Sequence, residues 1–425
     1  MSSFIRYSGP IYITGLMWAT ACGADAAGVD PCSADDILCS RQSLSSAYDE
    51  VAVEELPTLQ PTWSKALPVA EEAADASGYF SAAQLSSDRE GRLWLFARDP
   101  EGVRVSRLDD EGTAVESTLL RPPPGAKTPA AVGVNANWES NKDPSSKLVW
   151  TPGDGCNLQS PGALSSCQGY EKVIFDRGLG EEPLRVPLAE SLMSDAVVND
   201  RGELFYIATA TLDDPPSITK LVRDSRNVVW KKADYSTPLG NDFDLSAAAL
   251  DDGRLVVMRH GAAAYINSVV LYWLEADGRG SEELFGASVD KSFYRLFGSG
   301  PAPVLIFTDE IGDLHVRRHD PRDPSNPDGV SFLRQHYAMH DLHASAISPS
   351  GDVYVATQSG GRDAGQTTLC RAPVQGASGC VTVPAIVNLP ADQDKPSNVQ
   401  ALVAKDGGVV FVQSGVSLLR LDFPN

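Results

Sequence analysis

The sequence holds no phosphate-cradling glycine loop, no nucleophile elbow and no His-Glu-x-x-His zinc helix, so no reaction class is written in a motif. Basic residues are few: 35 Lys and Arg stand against 56 Asp and Glu, a formal charge of -21. Such a surface repels phosphate backbones and anionic headgroups, which excludes nucleic acid as a partner. Long apolar runs are missing too. The N-terminal segment Ile11–Ala21, preceded by Arg6, is about half the length that a spanning helix needs, which makes it a signal-peptide core and not an anchor helix. With 425 residues there is room for one large repeat domain or two ordinary ones.

Cysteine is scarce and odd in number, at seven. Six fall into local couples, Cys32 with Cys39, Cys156 with Cys167 and Cys370 with Cys380. In an exported chain such near neighbours are expected to pair, and none has the two-to-four-residue spacing of a zinc knuckle. Cys22 is left over. It closes the run Ala19-Thr20-Ala21-Cys22-Gly23, which resembles the bacterial lipobox, with Ala19 where Leu is usual. The resemblance implies cleavage before Cys22 and lipid on its thiol and new amino group, enough acyl chains for stable attachment. Gly23, in place of an inner-membrane-retaining aspartate, implies outer-membrane delivery. Ala19-x-Ala21 also fits an ordinary signal peptidase site, which leaves a secreted soluble form as the alternative. A signal peptide over 1–21 and a flexible acidic tether over 22–57, interrupted by the Cys32–Cys39 loop, are therefore expected.

From residue 58 on, short alternating segments are separated by Gly, Asp, Asn and Pro, the pattern of an all-β chain. One unit recurs: a small-residue strand, a turn with Asp or Gly, then an apolar strand. It reads AAQLSSDREGRLWLFA, DAVVNDRGELFYIA, SAAALDDGRLVVM, SAISPSGDVYVAT and QALVAKDGGVVFV. SSKLVWTP, with its turn enlarged by NWESNKDP, and PVLIFTD fill the two gaps. The apolar strands then recur at Leu93, Val149, Leu204, Val256, Leu305, Val353 and Val409, at intervals of 56, 55, 52, 49, 48 and 56 residues. Seven units of about fifty residues with four short strands each match β-propeller blades. Pieces such as SPSGDVYVATQSGG resemble NHL-type and related propeller repeats. In SSDREGRLW the Asp88 to Gly91 spacing is one residue too long for the Asp-box of sialidase-like propellers, and Leu93 replaces the usual Thr.

The chain ends before the seventh blade has an outer strand, and Thr62–Glu71 (TWSKALPVAE), just ahead of blades over 78–425, is placed to supply it. Cys370 and Cys380 are expected to staple the last hairpin of blade six, and Cys156 and Cys167 to pin the insertion from Gly153 to Gly169, where recognition tends to sit on a rigid scaffold. Trp94, Trp150, Phe205, Tyr206, Tyr354 and Phe411 are read as inter-blade core. Five of the six histidines lie between His315 and His343, but the repeat register separates His336, on an outer strand, from His343, on an inner one; no metal site and no cofactor is expected.

The expectation is a lipid-anchored envelope protein whose seven-bladed propeller binds a protein, small-molecule or glycan ligand. The alternative is a propeller hydrolase or lyase with its site in the central channel, which inner strands such as SAAAL and ASAIS, made of Ala and Ser, disfavour. A purely structural envelope component is the third reading.

Overall fold

The computed structural model describes residues 56–67, 82–124, 126–133, 142–152, 169–188, 195–199, 201–208, 217–232, 243–250, 252–263, 266–288, 294–299, 302–308, 314–318, 328–332, 341–358, 367–384, 399–414 and 417–423. They form seven four-stranded antiparallel sheets arranged as a seven-bladed propeller. The chain opens with β1 (Trp63–Ala66). Blade one is β2 (Ala83–Ser87), β3 (Leu93–Asp99), β4 (Gly102–Leu108) and β5 (Ala114–Leu120). Blade two follows as β6 (Ala126–Val132), β7 (Ser145–Pro152), β8 (Tyr170–Ile174) and β9 (Leu184–Pro187). Blade three is β10 (Asp195–Val198), β11 (Glu203–Ala208), β12 (Ser217–Val222) and β13 (Val228–Lys232). Blade four contains β14 (Phe243–Ala249), β15 (Leu255–Ala263), β16 (Ile266–Leu274) and β17 (Gly280–Ser288). Blade five is β18 (Tyr294–Ser299), β19 (Ala302–Thr308), β20 (Leu314–Arg318) and β21 (Asp328–Phe332). Blade six runs β22 (Asp341–Ile347), β23 (Val353–Gln358), β24 (Thr367–Ala372) and β25 (Gly379–Val383). Blade seven has β26 (Val399–Ala404), β27 (Val409–Ser414) and β28 (Ser417–Asp422). All seven apolar repeat segments are second strands of blades.

Each second strand is apolar on both faces because each face meets a different neighbour. Leu93, Leu95 and Ala97 pack toward blade seven, while Trp94 and Phe96 pack toward blade two. Val353 and Val355 face blade five, and Tyr354 and Ala356 face blade seven. The described core divides into seven clusters, one for each junction between consecutive blades. Trp94, Trp150, Phe205, Tyr354 and Phe411 are buried in these junctions as expected, and Tyr206 is half-buried against the junction of blades two and three.

The ring closes where the sequence pattern indicated. β1 pairs antiparallel with β28, Trp63 opposite Arg420 and Ala66 opposite Ser417, which completes blade seven from the N-terminal side. Trp63 packs on Phe411 with ring centroids 6.0 Å apart. Gln413 stitches the seam from within: its Oε1 accepts the Leu85 N–H at 2.6 Å and its Nε2 donates to the Ala83 carbonyl at 2.8 Å. Ahead of β1 the chain crosses blade six. The Leu59 N–H donates to the Thr382 carbonyl and the Thr382 N–H to the Pro57 carbonyl, a parallel bridge that straps the edge strand β25. Leu56 is buried beside Phe332, Cys370 and Cys380. The described chain ahead of β1 thus runs along blade six, one blade before the seam.

Four of the turns between first and second strands share one geometry. In Asp88–Arg92, Asn199–Glu203, Leu250–Arg254 and Ser348–Asp352 the first N–H donates to the fifth carbonyl, and the glycine at the fourth position donates back to the first. Gly91 shows why that position is glycine: its φ is +72°, and a Cβ would lie 3.2 Å from both the Ala404 carbonyl oxygen and the Pro349 ring. The turns of blades one, six and seven meet there. Asp88 and Asn199 finish the turn with the side chain, Oδ1 of each accepting the N–H groups two and four residues on.

Cys370 and Cys380 are opposite each other in the β24–β25 register and are bonded as a disulfide. The other disulfide candidates, Cys32, Cys39, Cys156 and Cys167, lie outside the described residues, as does Cys22. Both bonded cysteines are buried, so the crosslink reinforces the same edge that carries the strap. Replacing Cys370 and Cys380 by Ser is expected to lower stability by about 2–3 kcal/mol in the chain-entropy description, measured as a fall in denaturant midpoint at unchanged m-value. An unchanged midpoint would show that strap and core hold this hairpin without the crosslink.

Candidate functional site

The turns joining first to second strands and third to fourth strands project from one face of the ring. Across blades one to three they enclose a cleft of about 450 Å³, whose walls are the turn Asp88–Arg92, the pair Asp143–Pro144, the turn Phe175–Gly178, the turn at Asn199 and Gly202, and Arg223. Trp94 and Phe175 form its apolar floor, their rings 5.6 Å apart. Two further hollows, of about 520 and 300 Å³, continue outward along Glu181–Arg185 and share Arg177 and Arg223, then Arg185, with their neighbours.

Reciprocal ion pairs between blades build the cleft. Arg89 of blade one grips Asp143 of blade two with Nε at 2.7 Å and Nη2 at 2.9 Å. Arg223 of blade three grips Asp176 of blade two through Nε and Nη2, each at 2.5 Å. In return, Arg177 of blade two donates from Nη2 to Asp224 of blade three. Within blade one, Arg92 donates to Asp88 and Glu90, and the Trp94 indole N–H donates to Asp88 at 3.0 Å. Planar guanidinium forks suit such two-point grips better than lysine does. The bond to Asp176 raises the Arg223 guanidinium further above its ordinary value, and the bond to Asp88 does the same for Arg92.

Burial sorts the charges. The carboxylates of Asp88, Asp143 and Asp176 are only 7, 5 and 9 % exposed, whereas the Arg89, Arg92 and Arg177 side chains are 37, 49 and 45 % exposed. Glu90 and Asp224 are the exposed acids here, 66 and 67 % exposed, Glu90 bonded to Arg92 and Asp224 to Arg177 and to the nearly buried Arg223. The cleft therefore presents the guanidiniums of Arg89, Arg92 and Arg177 beside these two acids, within a chain of charge -21.

Ionisable residue types recur in the sequence at the other end of the inner strands. Lys127, Asp195, Asp244, Arg295 and Asp341 occupy the first or second position of the inner strands of five consecutive blades, at one mouth of the channel. The Ala and Ser of SAAAL and ASAIS come later in their strands, so the expectation of a channel lined by small residues holds only for those later positions. His343 is the third residue of β22. Asp195 is buried, its two oxygens 3.3 Å from Lys147 Nζ and 3.4 Å from Lys172 Nζ. Burial alone would raise its carboxyl. Lys147 and Lys172, with the Ala196 N–H, outweigh that and hold it below the usual carboxylate range.

Of the other expected site features, His336, His340 and nearly all of the Gly153–Gly169 insertion lie outside the described residues. At the insertion's base the Gly169 carbonyl accepts the Trp150 N–H at 2.8 Å, and the neighbouring Tyr170 phenol, buried with no partner among the described residues, is pushed up to about 12 by burial. His315 is buried and stacked on Phe307 at 4.8 Å.

No family model matches the chain, and no curated relative does. Among solved structures, the chain is similar to one of two prolyl endopeptidases (14 % identity, 84 % of this chain, 54 % of the other, TM-score 0.44). It is similar also to YCF48 bound to D1 peptide (15 % identity, 87 and 98 % covered, TM-score 0.44) and to Drosophila Plexin A in complex with Semaphorin 1b (12 %, 87 and 88 %, TM-score 0.41). The chain spans about half the length of the prolyl endopeptidase. None of these similarities reaches beyond the architecture.

Asp195→Asn would leave Lys147 and Lys172 buried without their carboxylate, and is expected to cost roughly 3–5 kcal/mol in chemical denaturation. Because the native carboxyl is held low, the wild-type advantage over this variant is present above about pH 4 and is lost as pH falls through the lowered native value. A stability difference that stays constant down to pH 2 would show that the charge of Asp195 is not what is missing.

Proposed function

We propose that the chain is an exported lipoprotein, attached through Cys22 to the outer membrane, whose propeller is a binding scaffold. Three features support this reading: the lipobox-like Ala19-Thr20-Ala21-Cys22-Gly23, the odd cysteine left once six have paired locally, and repeat pieces like those of NHL-type and related propellers. The observation that carries the binding role is the arginine-lined cleft, made of turns fixed at both ends by β-strands and locked between blades by two-point ion pairs. A surface of this kind recognises without rearranging. Its partner is a protein, a small molecule or a glycan, and the overall charge of -21 disfavours nucleic acid.

The row of ionisable residues at the channel mouth favours a second reading, a hydrolase or lyase acting there. Asp195, however, is committed to two lysines and is buried.

The intact mass of protein purified from bacterial membranes tests the anchor. The expected mature chain begins at Cys22 and carries the added mass of acyl chains, and a Cys22→Ser form lacks both the added mass and the membrane fraction. A wild-type chain cleaved after Ala21 without acyl mass overturns the anchor and makes this a secreted propeller.

A further inference from the structure

We propose that the cleft between blades one and three is an oxyanion-binding site, taking a phosphoryl or carboxylate group of a soluble ligand on Arg92 and Arg177. The inference rests on the reading of the cleft as the recognition surface and is independent of the lipid. An Arg-to-carboxylate network can be a mere clasp, and in a clasp the donors are spent. Here they are not. Arg177 uses only Nη2, on Asp224, and its Nε and Nη1 have no partner among the described residues. Arg92 uses Nε on Asp88 and Nη2 on Glu90, which leaves Nη1 without one. Both side chains are nearly half exposed and line the same 450 Å³ hollow.

Three of the carboxylates are withdrawn from an incoming anion, and the two exposed ones, Glu90 and Asp224, are each neutralised by the arginine that binds them. Asp88, Asp143 and Asp176 lie beneath their arginines, nearly inaccessible, each with its charge offset by a guanidinium. The hollow thus offers planar N–H donors over a neutralised layer, with the Trp94 and Phe175 rings as an apolar floor. Charge-assisted bonds from two guanidiniums are the strong, directional kind used for phosphate and carboxylate. The chain's overall charge makes the site selective: a highly anionic polymer or an anionic bilayer is repelled by the surroundings, whereas a ligand with one or two oxyanion groups reaches the cleft.

The experiment follows the melting temperature and the titration heat of the purified full chain with inorganic phosphate and with citrate, against chloride at matched ionic strength. Phosphate and citrate also stabilise proteins generally by exclusion from the surface. Arg92→Gln and Arg177→Gln separate the two effects, because general exclusion survives the substitutions and binding does not. Arg279→Gln, at an exposed turn of blade four, is the control. The expected result is saturable binding of at least one of the two anions by the wild type and the control, weakened at least about tenfold in Arg92→Gln and Arg177→Gln. A response to phosphate alone assigns a phosphoryl ligand, and a response to citrate alone a carboxylate. No saturable binding, or equal binding in all four proteins, overturns the inference and leaves the intact-mass result at Cys22 to stand or fall by itself. If one cleft variant fails to fold, as seen by its far-ultraviolet spectrum, the other carries the comparison.

Discussion

A blade of this protein cannot stand by itself, because its second strand has two apolar faces. Leu93 and Leu95 point one way and Trp94 and Phe96 the other, and each set is buried only if a different neighbour is present. The same holds around the ring, where each junction has its own apolar cluster. Burial on this scale dominates the stability of an all-β domain. Two-sided burial leaves one escape from exposed ends, which is to close the circle. The pairing of β1 with β28 and the polar grip of Gln413 on Leu85 and Ala83 follow from that requirement.

The closed ring then fixes what the turns can do. Turns with a glycine at the fourth position are short and stiff, and their side chains meet those of the adjacent blade at set distances. Arg89 reaches Asp143 and Arg223 reaches Asp176 because the blades are locked. At the start of β10, Asp195 is buried between Lys147 and Lys172, and the apolar substance lies between blades.

Much of the architecture was legible in the sequence because it rests on period-two alternation and on glycine at fixed turn positions, both local. The seven apolar segments are of that kind, the Cys370–Cys380 staple was legible from the closeness of its cysteines, and the closing strand from a seventh unit left one strand short. The cleft was not legible. Its turns were visible as repeats, and NWESNKDP stood out as an enlarged turn, but the pairing of Arg89 with Asp143 spans 54 residues and that of Arg223 with Asp176 spans 47. These are contacts between blades, whose separation no local pattern encodes; the nearest signal was an arginine or aspartate in the turn of each of several successive units. The strap of Leu56–Leu59 on blade six was hidden for another reason. It forms a single bridge, too short to leave any alternation behind.

The closing strand also sets an order of events. β1 precedes the first blade, and its partner β28 follows the other six blades. Blade seven therefore cannot be completed until all the other blades have been made and, if the chain is exported, delivered. Until then the edge of β28's future partner is unpaired and the first and last junctions are unfilled, a long-range closure that makes the final step of folding slow relative to the hairpins that precede it. A protein built this way reaches its finished surface only all at once, so an incomplete chain lacks the sealed rim that keeps strand edges from one another.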